Sequence, residues 1–342
     1  MKRIVFGMVL GAILAGLSGG LASAAEFTLK FATLAPEGSA WMNTFDQVKK
    51  EIFEATGGKL QMKVYPGGVL GEEKDVLYKI KVGQVDGAGF IGHGVGKICP
   101  DARALMVPFM FTNYEEVDAV FGKMAPYLEE HCLQNDFVAL GWTEIGFSYL
   151  YSTQPVRSIA DLQRAKPWSM PNEQMMTELF KAGRISTIPV PVSDVLTALQ
   201  TGLIETIFSP PLAAVAMQWY SRVKYWNDLR LAYTFGGLFV SKKSWDRLPE
   251  DMQTKMLEIC RRRMNQLTQE VRKSNEDAIR VIASNGIQTV QSSDADIRQF
   301  LAIRDKGLET LKDALFSTKA LDMVQKYKAE LAGGQARLDH GQ

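Results

Sequence analysis

Between Phe27 and Ala32 apolar and polar side chains alternate as FTLKFA, the period of a half-buried strand. Beyond Ala35-Pro36-Glu37-Gly38-Ser39, the residues Trp41, Phe45, Val48 and Ile52 recur every three or four positions. That spacing predicts an amphipathic helix, closed by Gly57-Gly58. Leu60 to Tyr65 alternates again, and a further helix and strand follow. A β-α-β-α-β opening favours a largely parallel sheet.

The helix and strand that complete this opening occur twice. DVLYKIKVGQVD, Asp75 to Asp86, returns 119 positions later as DVLTALQTGLIE, Asp194 to Glu205, with four of twelve positions identical and three conservative. In each copy an acidic residue opens a helical pattern, Gly83 or Gly202 closes it, and a short apolar strand follows. A unit of this kind present twice predicts two similar α/β lobes. Open α/β sheets bind ligands at the carboxyl ends of their strands, so the lobes are expected to face a cleft.

Between and after the copies, Phe137 to Tyr151 has the character of extended chain, and Pro155 to Leu162 of a crossing into the second lobe. That lobe continues with a strand at Lys166 to Met170, a helix from about Asn172, and Ile185 to Val190. Leu238 to Ser241 predicts a strand and Ser244 to Leu248 a short helix. From Pro249 to Asn285-Gly286 one helical pattern runs for roughly 35 residues, about 50 Å, long enough to brace both lobes. Lobe I is expected to hold residues 25–150 and about 238–270, and lobe II residues 151–237 and about 271–332, with 333–342 as a tail.

The first residues have a different pattern. Lys2 and Arg3 precede an apolar run from Ile4 to about Leu17, and Ala22-Ser23-Ala24 supplies an A-x-A site, so residues 1–24 are expected to be an export signal. Without Lys2 and Arg3 the charge balance is 37 basic against 38 acidic residues, which speaks against nucleic-acid and anionic-membrane partners. Cys99, Cys132 and Cys260 form no metal-ligand spacing; a Cys99 to Cys132 disulfide and three buried thiols both fit.

Gly87-Ala88-Gly89-Phe90-Ile91-Gly92 spells G-x-G-x-x-G, but inside and after the third strand instead of directly after the first. A dinucleotide site needs the latter, so no cofactor is expected, and His93, Gly94 and Gly96 extend the motif as a loop. Histidines stand only at 93, 131 and 340, none at helical ligand spacing, which gives a zinc site or a Ser-His-Asp triad little support. His93 follows the third strand, where both a cleft residue and an ordinary loop histidine are expected. Aromatic residues crowd Trp142 to Phe235. Phe147, Trp168, Phe208 and Phe235, at strand ends, are the candidates for a pocket wall, with Tyr149 beside them. Ser209-Pro210-Pro211 predicts a helix start capped by Ser209, and Ser39 and Asn172 stand near comparable starts. Such termini favour an anion, although plain capping needs no ligand.

With these elements in place the chain resembles the DctP-type solute-binding proteins of tripartite ATP-independent periplasmic (TRAP) transporters. The resemblance is carried by Ser158 to Leu162, Ile188-Pro189-Val190, Asp194 to Gly202, Gly237 to Lys243 with Trp245 and Leu248-Pro249, and the long helix after Pro249. It implies a two-lobed binding-protein fold, no catalysis, and delivery of a solute to a membrane permease. It also implies an arginine for the solute carboxylate where Lys166-Pro167-Trp168-Ser169-Met170 places Trp168, and a second where Ser148 stands in Gly146-Phe147-Ser148. Without those guanidinium groups, a carboxylate is expected on Ser39, His93, Ser148, Asn172 or Ser209 and on helix-start N–H groups, with an aromatic or apolar monocarboxylate such as an aryl or indolyl 2-oxo acid as the solute. An exported α/β enzyme and a receptor for a chemosensor are the alternatives.

Overall fold

The computed structural model describes residues 25–171 and 173–339; the expected export signal and Asn172 lie outside them. Lobe I begins with β1 (Phe27–Thr33), α1 (Ala40–Ala55), β2 (Leu60–Tyr65), α2 (Glu73–Lys81), β3 (Gly87–Ile91) and α3 (Gly92–Ile98). A 3-10 segment, Pro100–Met106, leads to α4 (Tyr114–Gln134), and the chain then crosses on β4 (Phe137–Ser152). Lobe II holds α5 (Ile159–Arg164), β5 (Trp168–Ser169), α6 (Gln174–Ala182), β6 (Ile188–Pro189), α7 (Val195–Gln200), β7 (Thr206–Ser209) and α8 (Pro211–Ala216). The return is β8 (Tyr225–Ser241), followed by α9 (Lys242–Trp245), α10 (Glu250–Ser284), β9 (Gln288–Val290), α11 (Asp294–Leu311) and α12 (Thr318–Asp339).

One sheet runs through both lobes in the order β2-β1-β3-β8-β4-β7, with β9 on β8. β1 pairs in parallel with β2 and β3, and β3 lies antiparallel to β8. Lobe II repeats the scheme with the long strands exchanged: β5 pairs in parallel with β6, bridges to β7 through Pro167 and Thr206, and β7 lies antiparallel to β4. The repeated sequence unit therefore has one fold in two places.

Its acidic ends confirm the equivalence. Asp86 N–H donates to Lys30 O at 2.8 Å and Glu205 N–H to Lys166 O at 3.1 Å. The Asp86 carboxylate accepts from Lys30 N, Ser244 Oγ and Arg247, and Glu205 from Lys166 Nζ and Gln154 Nε2. Both side chains tie a helix–strand unit to its lobe, which is a structural duty.

Face to face with this sheet lie two layers of helix. Leu29 and Phe31 of β1, Leu140 and Leu238 pack with α1 and with Met256, Met264 and Leu267 of α10. On the other face Phe90, Trp142 and Phe239 pack with Val120, Met124 and Leu128 of α4. α10 spans 35 residues, about 52 Å at helical rise. Thr268 bonds Thr143 in the lobe I half of β4, while Asn275 accepts from Leu212 N of α8 and donates to Ile145 O, both at 3.0 Å. The helix thus grips both lobes.

Where β4 and β8 cross between lobes, the register shifts between Ala139 and Gly141, Glu144 and Gly146, and Ser148 and Leu150. Gly146, at φ +107°, lies against Asn275. Such bulges bend a strand pair and mark the hinge. Cys99, Cys132 and Cys260 are free and buried, so the three-thiol alternative is the one realised.

Candidate ligand-binding site

The cleft is bounded by the carboxyl ends of β1 and β3 in lobe I and of β5 and β7 in lobe II. On the lobe I side the expected loop after β3 is helix instead, over Gly92–Ile98. Its start is stabilised from a distance: Glu73, in the first turn of α2, accepts from Ile91 N and Gly94 N, both at 2.7 Å. Burial pushes the Glu73 carboxyl up to about 7, against the opposing pull of those two N–H groups. The glycines follow from close packing. A side chain at Gly87 would meet Phe239 O at 2.3 Å, at Gly94 the Phe90 ring at 2.5 Å, and at Gly96 the Cδ of Arg103 at 2.5 Å. G-x-G-x-x-G in this chain serves strand pairing and helix packing, and no phosphate cradle.

Arg103 is the residue that composition and motif reading missed. It lies in the 3-10 segment among fully buried Ala102, Ala104 and Leu105, and it is the one buried lysine or arginine among the described residues, at 5% exposure. Its stem lies over Gly96, one turn beyond His93 on the same face of α3. Its guanidinium pairs with Glu173 of lobe II, the N-cap of α6, whose other oxygen accepts from Met176 N at 2.7 Å. Nε of Arg103 has no protein partner. Burial lowers the arginine to about 10, so it stays charged at neutral pH. His93 is lowered as well, first by burial and then by the charges of Arg103 and Lys97, and is neutral there. The signal in the sequence was a lone basic residue, two positions after Asp101, inside the otherwise apolar stretch Cys99 to Val107, but its partner is 70 residues away.

The other expected site residues are distributed as follows. Trp168 is buried in lobe II: its indole N–H donates to Val190 O at 2.8 Å and its ring stands edge-on to Trp219 at 5.6 Å. Tyr149 receives the Arg230 Nε–H at 3.3 Å and packs on Trp226. Phe147 lies beneath the Arg230 guanidinium, 5.1 Å from it, with Tyr114 and Tyr233 at its sides. One expectation is corrected outright: Phe235, 1% exposed, is locked between Phe121, Trp142 and Tyr233 in the lobe I core, where burial of its large apolar area outcompetes display at a cleft. Phe208 is half-buried and packs on Phe180 at the edge of a separate core of lobe II.

Among the polar candidates, Ser39 caps α1 through Met42 N at 3.3 Å. Ser209 caps nothing: Pro210 is the N-cap of α8, and the Ser209 hydroxyl donates to Pro210 O at 3.0 Å. α8 ends at Ala216, and Trp219 and Tyr220 form a 3-10 turn after it. Ser148 is half-buried at the hinge, paired with Ala232. Arg103 and Glu173 thus meet between the lobes, His93 is close enough to feel the charge of Arg103, and Arg230 lies against Phe147 and Tyr149 at the hinge.

Two lobes hinged on a pair of crossing strands, with a buried guanidinium between them, define a solute-binding receptor of the periplasmic type. The chain belongs to the bacterial extracellular solute-binding proteins, family 7 (DctP), whose model matches residues 31–311. A solute-binding protein of Roseobacter denitrificans is 28% identical over 247 residues, 71% of this chain and 75% of that one. A crystal structure of a TRAP periplasmic solute-binding protein from that organism, with bound L-galactonate, superposes at a TM-score of 0.76 with 24% identity, over 89% of this chain and 99% of its own. Another, from Ochrobactrum anthropi, with its C-terminus bound in the ligand-binding pocket, reaches 0.81 at 21% identity, over 93% and 99%. The family and these neighbours are receptors and not enzymes, which removes the exported-enzyme alternative. No helix of the described residues is long and apolar enough to cross a membrane.

Proposed function

We propose that this chain is the periplasmic receptor of a TRAP transporter: exported by its first 24 residues, it captures one organic acid between its lobes and delivers it to the membrane permease. The observation that carries this reading is Arg103, a charged, buried guanidinium at the cleft of a chain that lacks the arginines implied at 148 and 168. A single buried cation balances a single carboxylate; a second one would enter the same desolvated space unpaired. The reading therefore favours a monocarboxylate over a C4-dicarboxylate.

Two observations bear on the rest of the solute. Family neighbours were solved with galactonate, glucuronate and galacturonate, which favours a sugar acid. Trp168 in place of an arginine favours the aromatic or apolar monocarboxylate; among the other aromatic candidates Phe208 is half-buried, while Phe147, Tyr149 and Phe235 are buried against protein. Thermal-shift titration with sugar acids, aryl 2-oxo acids and C4-dicarboxylates decides between them. A binder at a hundred times its Kd adds about 2.7 kcal/mol. Stabilisation by dicarboxylates alone refutes the monocarboxylate reading, and stabilisation by no acid refutes the organic-acid reading itself.

A further inference from the structure

Arg103 and Glu173 come from opposite walls of the cleft. Arg103 belongs to the 3-10 segment that follows α3 in lobe I, and Glu173 to the turn between β5 and α6 in lobe II. The pair is a through-space link between the lobes, separate from the hinge strands and from α10. It is also buried, with the side chain of Arg103 at 6% and that of Glu173 at 19% exposure.

What Glu173 contributes is chemically a carboxylate held by a guanidinium on one oxygen and by a helix-start N–H, that of Met176, on the other. A bound organic acid would ask for the same two donors. The seat is built for an anion: Gly96 lacks a side chain where the arginine stem lies, and Nε of Arg103 is buried with no protein acceptor. The chain itself supplies the anion that fills it.

We infer that Glu173 is a tethered stand-in for the solute's carboxylate: it occupies the anion seat of Arg103 from the facing lobe, holds the lobes together in the absence of solute, and is displaced when an acid binds. This rests on the organic-acid reading above for the displacing ligand, but not for the latch. Two physical consequences follow. Removing the Glu173 charge strands a guanidinium in a desolvated space, and the lobes relieve that by separating so that water reaches it. The same removal frees the seat of an internal competitor, so an incoming acid no longer spends part of its binding free energy on displacement. Phe109, whose ring lies 6.0 Å from that of Phe300 of α11 at a tilt of 39°, is a second cross-lobe contact that the substitution leaves in place.

The test is Glu173→Gln, which keeps a side-chain oxygen for Met176 N and removes only the charge. Small-angle scattering of the ligand-free, full mature chain is expected to give a larger radius of gyration for Glu173→Gln than for the wild type. Arg103→Gln, which breaks the pair from the other side, should reproduce the expansion, and either variant suffices if the other does not fold. Calorimetric titration with L-galactonate, D-glucuronate and indole-3-pyruvate as probes should show Glu173→Gln binding whichever probe the wild type binds about tenfold more tightly or better, and Arg103→Gln losing it. An unchanged radius of gyration in the folded variants overturns the latch. Equal or weaker probe affinity in Glu173→Gln overturns the displacement. If no probe binds the wild type, the choice of solute class fails, and the scattering comparison still decides the latch.

Discussion

Glu73→Gln probes how a glycine-rich segment is made to fold as helix at the cleft. Glu73 is 7% exposed and its two oxygens hold Ile91 N and Gly94 N at 2.7 Å. Burial raises its carboxyl from the ordinary 4.5 to about 7 in the folded chain. Below pH 4.5 the group is protonated in both folded and unfolded states and contributes nothing to pH dependence. Between 4.5 and 7 the unfolded chain has lost the proton that the folded chain keeps, so stability falls as pH rises, and the cost levels off above 7. A shift of this size at 1.36 kcal/mol per pH unit amounts to about 3 kcal/mol. Glutamine stays neutral throughout and offers one acceptor oxygen, so it leaves one N–H unpaired at a pH-independent cost of about 1–3 kcal/mol. Urea denaturation of both proteins at pH 5, 6, 7 and 8 is the assay. The stability advantage of the wild type over Glu73→Gln should shrink by about 2.5 kcal/mol from pH 5 to 8, since part of the shift lies below pH 5. His93, lowered by burial, works in the opposite direction, its folded form resisting a proton that the unfolded chain takes up as pH falls through 6.5. That contribution is common to both proteins and cancels in the difference. A difference that does not vary with pH would refute the raised carboxyl and the desolvation argument behind it.

Two other substitutions test the packing around the hinge and the cleft. Asn275→Ala removes the side chain that joins α10 to Leu212 N and Ile145 O, both at 3.0 Å, and should lower Tm by about 5–10 °C by calorimetry; a change under about 1 °C would mean that these groups find other partners. Gly96→Ala places a methyl group 2.5 Å from Arg103 Cδ and 2.9 Å from its Cγ, and should cost about 1–3 kcal/mol in urea. Gly122→Ala in α4, where the added carbon meets nothing within 4 Å, is the paired control and should stabilise by about 0.5–1 kcal/mol. Equal effects at the two glycines would remove the packing explanation for Gly96.

The elements legible in the sequence were those whose own periodicity carries them. β1, β2, α1 and α10 bury one face of a regular pattern, and the repeat showed α2 with β3 and α7 with β7. β8 was read only from Leu238, although Leu229 to Phe235 alternates as LRLAYTF, the period of a half-buried strand, and pairs with β4 across the hinge. The helix at Gly92–Ile98, by contrast, contradicts its own composition: Glu73, from another element, supplies the acceptors for its start.

For the cleft, the chain's own text determined that there are two like units, that strand ends face one another, and that the arginines implied at 148 and 168 are replaced by serine and tryptophan. Those are properties of identity and local order. Which side chains reach the cleft was decided by tertiary packing. Phe147 and Phe235 went into the core because covering a large ring is worth more than displaying it, while Arg103 was carried to the cleft over a glycine and met a carboxylate 70 residues away. A charge pair between lobes depends on how two separately folded units sit against each other, and no local pattern encodes that distance.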